Sequence, residues 1–396
     1  MNLGKFYSYG KALLGIFHGS SALGGPLQVN LSLAGKCNVR CIHCCYYSPL
    51  IQLPTSRGLK TEKELIHNQS TPTISEEVQK KLVEELLSLN VQSYVLSGHG
   101  EFLLNKNSMG IMERLKKSSN KCILNTNGTL FTKDMIDKLI KIKFDELRIT
   151  VMAGTAEMYL LTHPGVKEDM FYNLKENLLY LAKKKAELGV KKPKVNLISI
   201  VISTNHNGLF DFAEFANSVK ADEVLFHPFD VMDDPGLEKL VPAKEQSDYI
   251  RKELIKVKDY LDGKNVKHNI MYFLKGFRGK LDTTELYRYI PCYYPWLSSM
   301  IDLDGNVYLC CRCYIPVGNI QENSFKEIWF GNSYREMRKE AFQINVRQKS
   351  VKGCYCNSCS NFIPNIKLYR LLNPLKGRSP GFKLLNENLS EGQEDV

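Results

Sequence analysis

From Pro26 to Pro228 the chain alternates between two hydrophobic rhythms. Short β-type runs occur at Leu27–Leu33, Ser93–Ser97, Cys122–Asn125, Glu146–Val151, Val195–Ser203 and Glu223–Phe226. Between them lie stretches with apolar residues at helical spacing, at Ser75–Asn90, Met109–Ser118, Lys133–Ile142, Met170–Leu188 and Leu209–Val219. The first of these opens on Ser75 as an N-cap. Six β/α units in succession predict an α/β fold with a parallel sheet, flat or curled into a partial barrel. Chemistry on such sheets gathers at the carboxyl ends of the strands.

The rest of the chain divides around this unit. Residues 1–25 read as an N-terminal arm, 26–230 as the β/α unit, 231–290 as a helical linker with a turn at Asp233-Asp234-Pro235-Gly236, 291–363 as a cysteine-rich domain, and 364–396 as a tail ending acidic. With 43% apolar and 24% charged residues over 396, disorder and fibrous repeats are excluded. The longest apolar run, Val195–Ser203, is too short to span a bilayer. The first nineteen residues lack the pattern of a signal peptide, so a cytoplasmic protein is expected. The net charge of +11 permits an acidic partner. The lysine-rich stretch Lys183–Lys194 has no interleaved aromatics, so it reads as a solvated helix end and loop and no nucleic acid is expected.

Cysteine changes the picture. Of twelve, only Cys122 stands alone; Cys37, Cys41, Cys44 and Cys45 form one group and Cys292, Cys310, Cys311, Cys313, Cys354, Cys356 and Cys359 another. A long chain without a secretory signal has no need of disulfides, so the clusters point to metal or redox chemistry. Cys37-x3-Cys41-x2-Cys44 follows directly on the first strand. Three thiolates in one loop can hold one face of a cubane cluster and leave its fourth iron open, whereas structural zinc closes with four ligands, commonly as separated pairs. His43 as a zinc ligand is the alternative, and Cys45 reads as loop packing.

This loop resembles the CxxxCxΦC signature of the radical S-adenosylmethionine (SAM) enzymes, with His43 at the aromatic position. Further elements similar to the family's follow in order. Ser97-Gly98-His99-Gly100-Glu101 resembles the Gly-Gly-Glu turn, with His99 in place of a glycine and Phe102 where many members have proline. There Gly98 and Gly100 are expected beside the cofactor, Gly100 allowing close backbone approach, and Glu101 is expected to accept from the methionyl amine. Asn125-Thr126-Asn127-Gly128 resembles the polar turn beside the cofactor, Thr150 ends the strand near the ribose, and Asn205 either meets the cofactor or caps its loop. The resemblance implies a partial (β/α)6 TIM barrel, SAM, a [4Fe–4S] cluster on Cys37, Cys41 and Cys44, and a flavodoxin- or ferredoxin-type reductant.

In the second group, Asp304-Gly305 reads as a tight turn joining strands Ser299–Leu303 and Val307–Leu309, which brings Cys310 toward Cys292. By softness alone the thiolates suit zinc or iron–sulfur. The Cys-x12-Gly-x4-Cys opening and the terminal cysteines resemble the SPASM/Twitch extension of radical SAM enzymes, which implies one auxiliary [4Fe–4S] cluster. Its expected ligands are Cys292, Cys310, Cys356 and Cys359, with Cys354 as the substitute for either of the last two. Cys313 is the candidate catalytic thiol, donating hydrogen to a substrate radical, with Cys311 and Cys45 in reserve; for Cys311 and Cys313 the plainer role is buried packing.

The expected activity is reductive cleavage of SAM and hydrogen abstraction from a substrate carbon, followed by dehydrogenation or epimerisation of a small polyol or sugar-like metabolite. With about 25 residues before the first strand, no N-terminal peptide-recognition domain is expected; peptide maturation is the alternative. A catalytically inactive metal-binding scaffold is the non-enzymatic reading.

Overall fold

The computed structural model describes residues 3–51, 74–118, 120–231, 234–276 and 283–374. Six parallel strands form in chain order: β1 (Gln28–Ser32), β2 (Ser93–Ser97), β3 (Lys121–Thr126), β4 (Glu146–Thr150), β5 (Lys194–Val201) and β6 (Glu223–Pro228). Each lies beside its predecessor. Their alternation explains the placement: Val29, Leu31, Tyr94, Leu96, Leu147, Ile149, Val224 and Phe226 are buried against the helices. The intervening positions, among them Gln28, Asn30, Ser93, Ser97, Arg148, Thr150 and Asn196, face the other side of the sheet. The lumen is therefore largely polar. The first helix is Glu76–Ser88, capped by the Ser75 hydroxyl, which accepts from the Val78 N–H at 3.2 Å.

Two segments depart from expectation. Residues 231–290 are more than a linker: the helix Lys244–Gly263 buries Ile250, Leu254, Val257 and Leu261 against the barrel, and β7 (Lys267–His268) adds a parallel strand beside β6. Of the turn at 233–236, Asp233 lies outside the described residues, and Asp234 caps a short helix, Pro235–Glu238. The cysteine-rich segment is also joined to the sheet. β8 (Ser298–Asp302) pairs in parallel with β1, Gln28 opposite Ser298 through Ser32 opposite Asp302. β9 (Asn306–Tyr308) and β10 (Gly318–Asn319) continue antiparallel, giving one ten-stranded sheet. Gly305 makes the hairpin turn with φ +81°, a left-handed conformation suited to glycine.

The N-terminal residues form a helix, Leu3–His18, and the helix Phe362–Leu372 occupies the start of the expected tail. They meet around Ile16, Tyr293 and Trp296, with Leu368, Tyr369 and Leu372 packed alongside. The remainder of the tail, 375–396, lies outside the described residues.

Candidate active site

The loop after β1 is tied together by its own backbone. Cys44 N–H donates to the Cys41 carbonyl at 3.0 Å, Ser48 N–H to the Cys44 carbonyl at 3.0 Å, and the Tyr47 hydroxyl to the Gly35 carbonyl. Cys37, Cys41 and Cys44 come together: burial first, and then one another's charge, push the Cys41 thiol well up and the Cys44 thiol to about 12 (for Cys44 it is Cys45 and then Cys37). Cys37 is pushed up by burial, and N–H donors oppose this; the Asn127 amide points at its sulfur at 3.8 Å. Three gathered thiols in a desolvated loop cannot all ionise without a cationic group between them, and iron supplies one. Among the described residues, no three His, Cys, Asp or Glu side chains gather tightly enough for a single metal ion. A cubane asks for something different, because each iron takes one thiolate and the sulfurs need not meet at a point. The donor set fits the cluster.

The turn after β2 is pressed against this loop. Gly100 N–H donates to the Ala34 carbonyl at 3.0 Å and Glu101 N–H to the Lys36 carbonyl at 2.7 Å. A Cβ on Gly100 would lie 1.9 Å from the Lys36 oxygen, and one on Gly98 would lie 2.8 Å from the Ala34 oxygen. The Glu101 side chain is 3% exposed and already engaged. Oε1 accepts from Leu103 N–H at 3.1 Å and Thr126 Oγ1 at 2.8 Å, and Oε2 accepts from Asn127 N–H at 2.8 Å. Burial pushes its carboxyl up and these donors hold it back. Its geometry is thus that of a brace between the β2 and β3 turns, with three of about four lone-pair positions taken.

Asn127 Nδ2 also donates to Asn38 Oδ1 at 2.9 Å, locking the β3 turn to the cysteine loop. Asn125 and Thr150 stand half-buried on strands β3 and β4. Asn205 is a cap: it is 1% exposed, its Oδ1 accepts from Ile202 N–H at 2.9 Å, and its Nδ2 donates to the carbonyls of Ile200 at 3.0 Å and Met152 at 3.2 Å. With its amide spent on its own loop and neighbouring strand ends, Asn205 fills the capping role, the second of the two expected for it.

His43 is buried at its Nδ1, which has no hydrogen-bond partner among the described residues. Burial, then His163, lowers its pKa to about 3. His163 is fully buried and held near 4 by desolvation, and it stacks on Tyr159 at 4.1 Å. Above pH 6.5 both folded and unfolded chains carry this imidazole neutral. As pH falls from 6.5 toward 4 the unfolded chain protonates first, so stability drops by about 3 kcal/mol from this group. Urea unfolding midpoints at pH 7 and pH 5 should converge more closely in His163→Gln than in the parent. Equal slopes would exclude this role.

The second cysteine group surrounds one cavity, lined by Cys292, Cys310, Cys313, Cys354, Cys356 and Cys359. Burial raises Cys292, Cys310, Cys356 and, to about 11, Cys359. Cys292 further feels Cys359 and Cys356, and Cys310 feels Cys311 first, then Cys359 and Cys292. These four buried thiols fit a second cluster on the same reasoning as the first. Cys313 departs from expectation. It forms a disulfide with Cys354, to which its backbone is bridged, so in this structure it offers no thiol hydrogen and Cys354 is no substitute ligand. Cys311 is exposed, and Cys45 packs beside the apolar cluster of Ile42, Met152 and Phe229.

Sequence reasoning passed over Arg312. Its guanidinium, almost buried, pairs with Asp230 just beyond β6 and bonds Ser358 Oγ at 2.5 Å. Since Arg312 follows β9 and Asp230 follows β6, the pair links segments from opposite sides of the sheet order and ties the cysteine loops to the barrel mouth. Only its position between Cys311 and Cys313 hinted at it.

Residues 31–216 match the radical SAM superfamily, and residues 292–360 match the SPASM iron–sulfur cluster-binding domain. The chain belongs to the radical SAM superfamily and carries a SPASM domain at its C-terminal end; SAM and a [4Fe–4S] cluster are its cofactors, and the SPASM domain adds auxiliary iron–sulfur. GTP 3',8-cyclase of Lactiplantibacillus plantarum is 26% identical over 205 residues, 50% of this chain and 54% of that enzyme, so the chain spans about half the length of this relative. In fold it resembles Streptococcus suis SuiB bound to precursor peptide SuiA, with TM-score 0.60 and 13% identity over 88% of this chain and 75% of that one. It also resembles anSMEcpe with bound AdoMet and a Cp18Cys peptide, with TM-score 0.57 and 18% identity over 92% and 99%. No helix among the described residues is long and apolar enough to cross a membrane.

Proposed function

We propose that this enzyme removes two hydrogens from a small hydroxylated metabolite. The observation that carries this reading is the gathering of Cys292, Cys310, Cys356 and Cys359 around one buried cavity tied by Arg312 and Asp230 to the barrel mouth. When bound, SAM and its cluster would supply the radical chemistry that removes a hydrogen atom from a substrate carbon, and Cys292, Cys310, Cys356 and Cys359 would hold an auxiliary cluster able to take up the second electron, the matching proton going to solvent. Cys37, Cys41 and Cys44 would hold the first cluster, the turns at Gly98–Glu101 and Asn125–Asn127 would shape the cofactor side of the mouth, and Thr150 would serve the ribose. A flavodoxin- or ferredoxin-type protein is the electron source.

The pairing of Cys313 with Cys354 favours oxidation over epimerisation, because the leading thiol donor is engaged. The polar lumen, with Asn30, Asn125, Arg148 and Asn196, offers hydrogen-bonding groups to substrate hydroxyls. A peptide substrate is the second reading, supported by the fold likeness to SuiB with its precursor peptide.

Incubation with SAM, dithionite and candidate metabolites in deuterium oxide tests the proposal. The expected product is two hydrogens lighter, gains no deuterium at the reacting carbon, and forms equally in Cys313→Ala. A product of unchanged hydrogen count carrying one deuterium would establish epimerisation instead, and absence of any 5′-deoxyadenosine would remove the catalytic reading altogether.

A further inference from the structure

Tyr159 sits in the short helix Ala156–Thr162 that follows β4. The residue is fully buried, and among the described residues its hydroxyl oxygen has no hydrogen-bond partner. Buried phenols in native proteins nearly always find one, so an orphan asks what is missing beside it. Its ring is held on two sides, stacked on His163 at 4.1 Å and tilted against Phe171 at 5.4 Å, so the hydroxyl has little freedom to seek another partner. The helix end is fastened to the cysteine loop, where Ile42 N–H donates to the Thr162 carbonyl at 3.0 Å. Apart from desolvation, the groups acting on the phenol are Cys41 first and Cys37 second.

We propose that the Tyr159 hydroxyl donates a hydrogen bond to a sulfur of the cluster held by Cys37, Cys41 and Cys44, and so makes that cluster easier to reduce. The phenol is the right chemistry, because sulfur ligands accept hydrogen bonds and such bonds help set cluster potentials. A reduced cluster carries one more negative charge, so a donor aimed at its sulfur stabilises the reduced form more than the oxidised one. His163 acts as the positioning residue. Its Nδ1 lies 3.1 Å from the Tyr159 carbonyl and 3.0 Å from Thr162 Oγ1, whose own proton goes to the Met158 carbonyl at 2.9 Å; a proton on Nδ1 suits both neighbours as acceptors, and the neutral ring stacks on the phenol. His163 Nε2, also buried and without a partner among the described residues, is then a bare acceptor and cannot compete as the donor.

The inference rests on the assignment of the first cluster to Cys37, Cys41 and Cys44. Its test is a redox titration of the holoenzyme, following the component of the EPR signal that changes on adding SAM. Tyr159→Phe keeps the ring and its stack but loses the hydroxyl, and its midpoint is expected to fall below the parent's with iron content unchanged. Placing 3,5-difluorotyrosine at position 159 strengthens the donor, and its midpoint is expected to rise. Opposite shifts in the two variants establish the bond. Midpoints equal to the parent's, or shifts of the same sign, overturn it. A parent enzyme with no SAM-responsive signal would overturn the cluster assignment beneath it as well.

Discussion

Replacing Cys37, Cys41 and Cys44 together by Ala is expected to abolish formation of 5′-deoxyadenosine and to cut iron and sulfide from about eight each per chain to about four. The three thiols lie in one self-bonded loop, and the four auxiliary thiols surround a separate cavity, so losing the first set leaves the second. Iron and sulfide quantified on anaerobically purified protein measure the cluster count, and chromatography of SAM incubations measures cleavage. A variant that kept all its iron, or still cleaved SAM, would refute the ligand set. Zinc in place of the four residual irons would leave the SAM cluster standing and refute the auxiliary one.

Gly100→Ala is expected to be nearly as damaging, although it removes nothing. The added methyl would meet the Lys36 carbonyl carbon at 2.3 Å as well as its oxygen, and both are backbone, so no side-chain rotation relieves the clash. The turn must withdraw from the cysteine loop, losing the bonds from Gly100 and Glu101 to Ala34 and Lys36. Overpacking alone costs about 1–3 kcal/mol. SAM affinity should fall at least tenfold by equilibrium dialysis, and iron should drop toward the level of the triple-cysteine variant. Full iron with parental SAM affinity would mean that the turn tolerates separation from the loop.

What could be read from the sequence follows from the range of the signals. The six barrel strands were legible because Val29/Leu31, Tyr94/Leu96 and Leu147/Ile149 alternate locally, and the first cysteine group because its members are three or four residues apart. The hairpin at Gly305 was legible for the same reason. Its destination was not: nothing near Ser298 announces that this strand lies parallel to β1. Residues 231–290 hid a strand of only two residues, too short for any period to show. Glu101 and Asn205 have the right type for cofactor contacts, but the bonds by which Glu101 braces two turns and Asn205 caps its own loop are properties of the folded surroundings. Tyr159 and His163 carry no motif, and only the buried Tyr159 hydroxyl and His163 Nε2, unpartnered among the described residues, mark them. The pairing of Cys313 with Cys354 joins two cysteines 41 residues apart, beyond any local spacing rule.

The parallel ladder between β1 and β8 decides what becomes of a shortened chain. Deleting residues from 292 onward would strip the cover from β1 and leave Gln28–Ser32 as a bare strand margin, with its N–H and C=O groups on that side open to any other strand. Such a margin recruits copies of itself. The truncated protein should therefore sediment as polymer where the full chain stays dispersed, and the SPASM segment, besides holding iron–sulfur, serves as the chain's own protection against self-association.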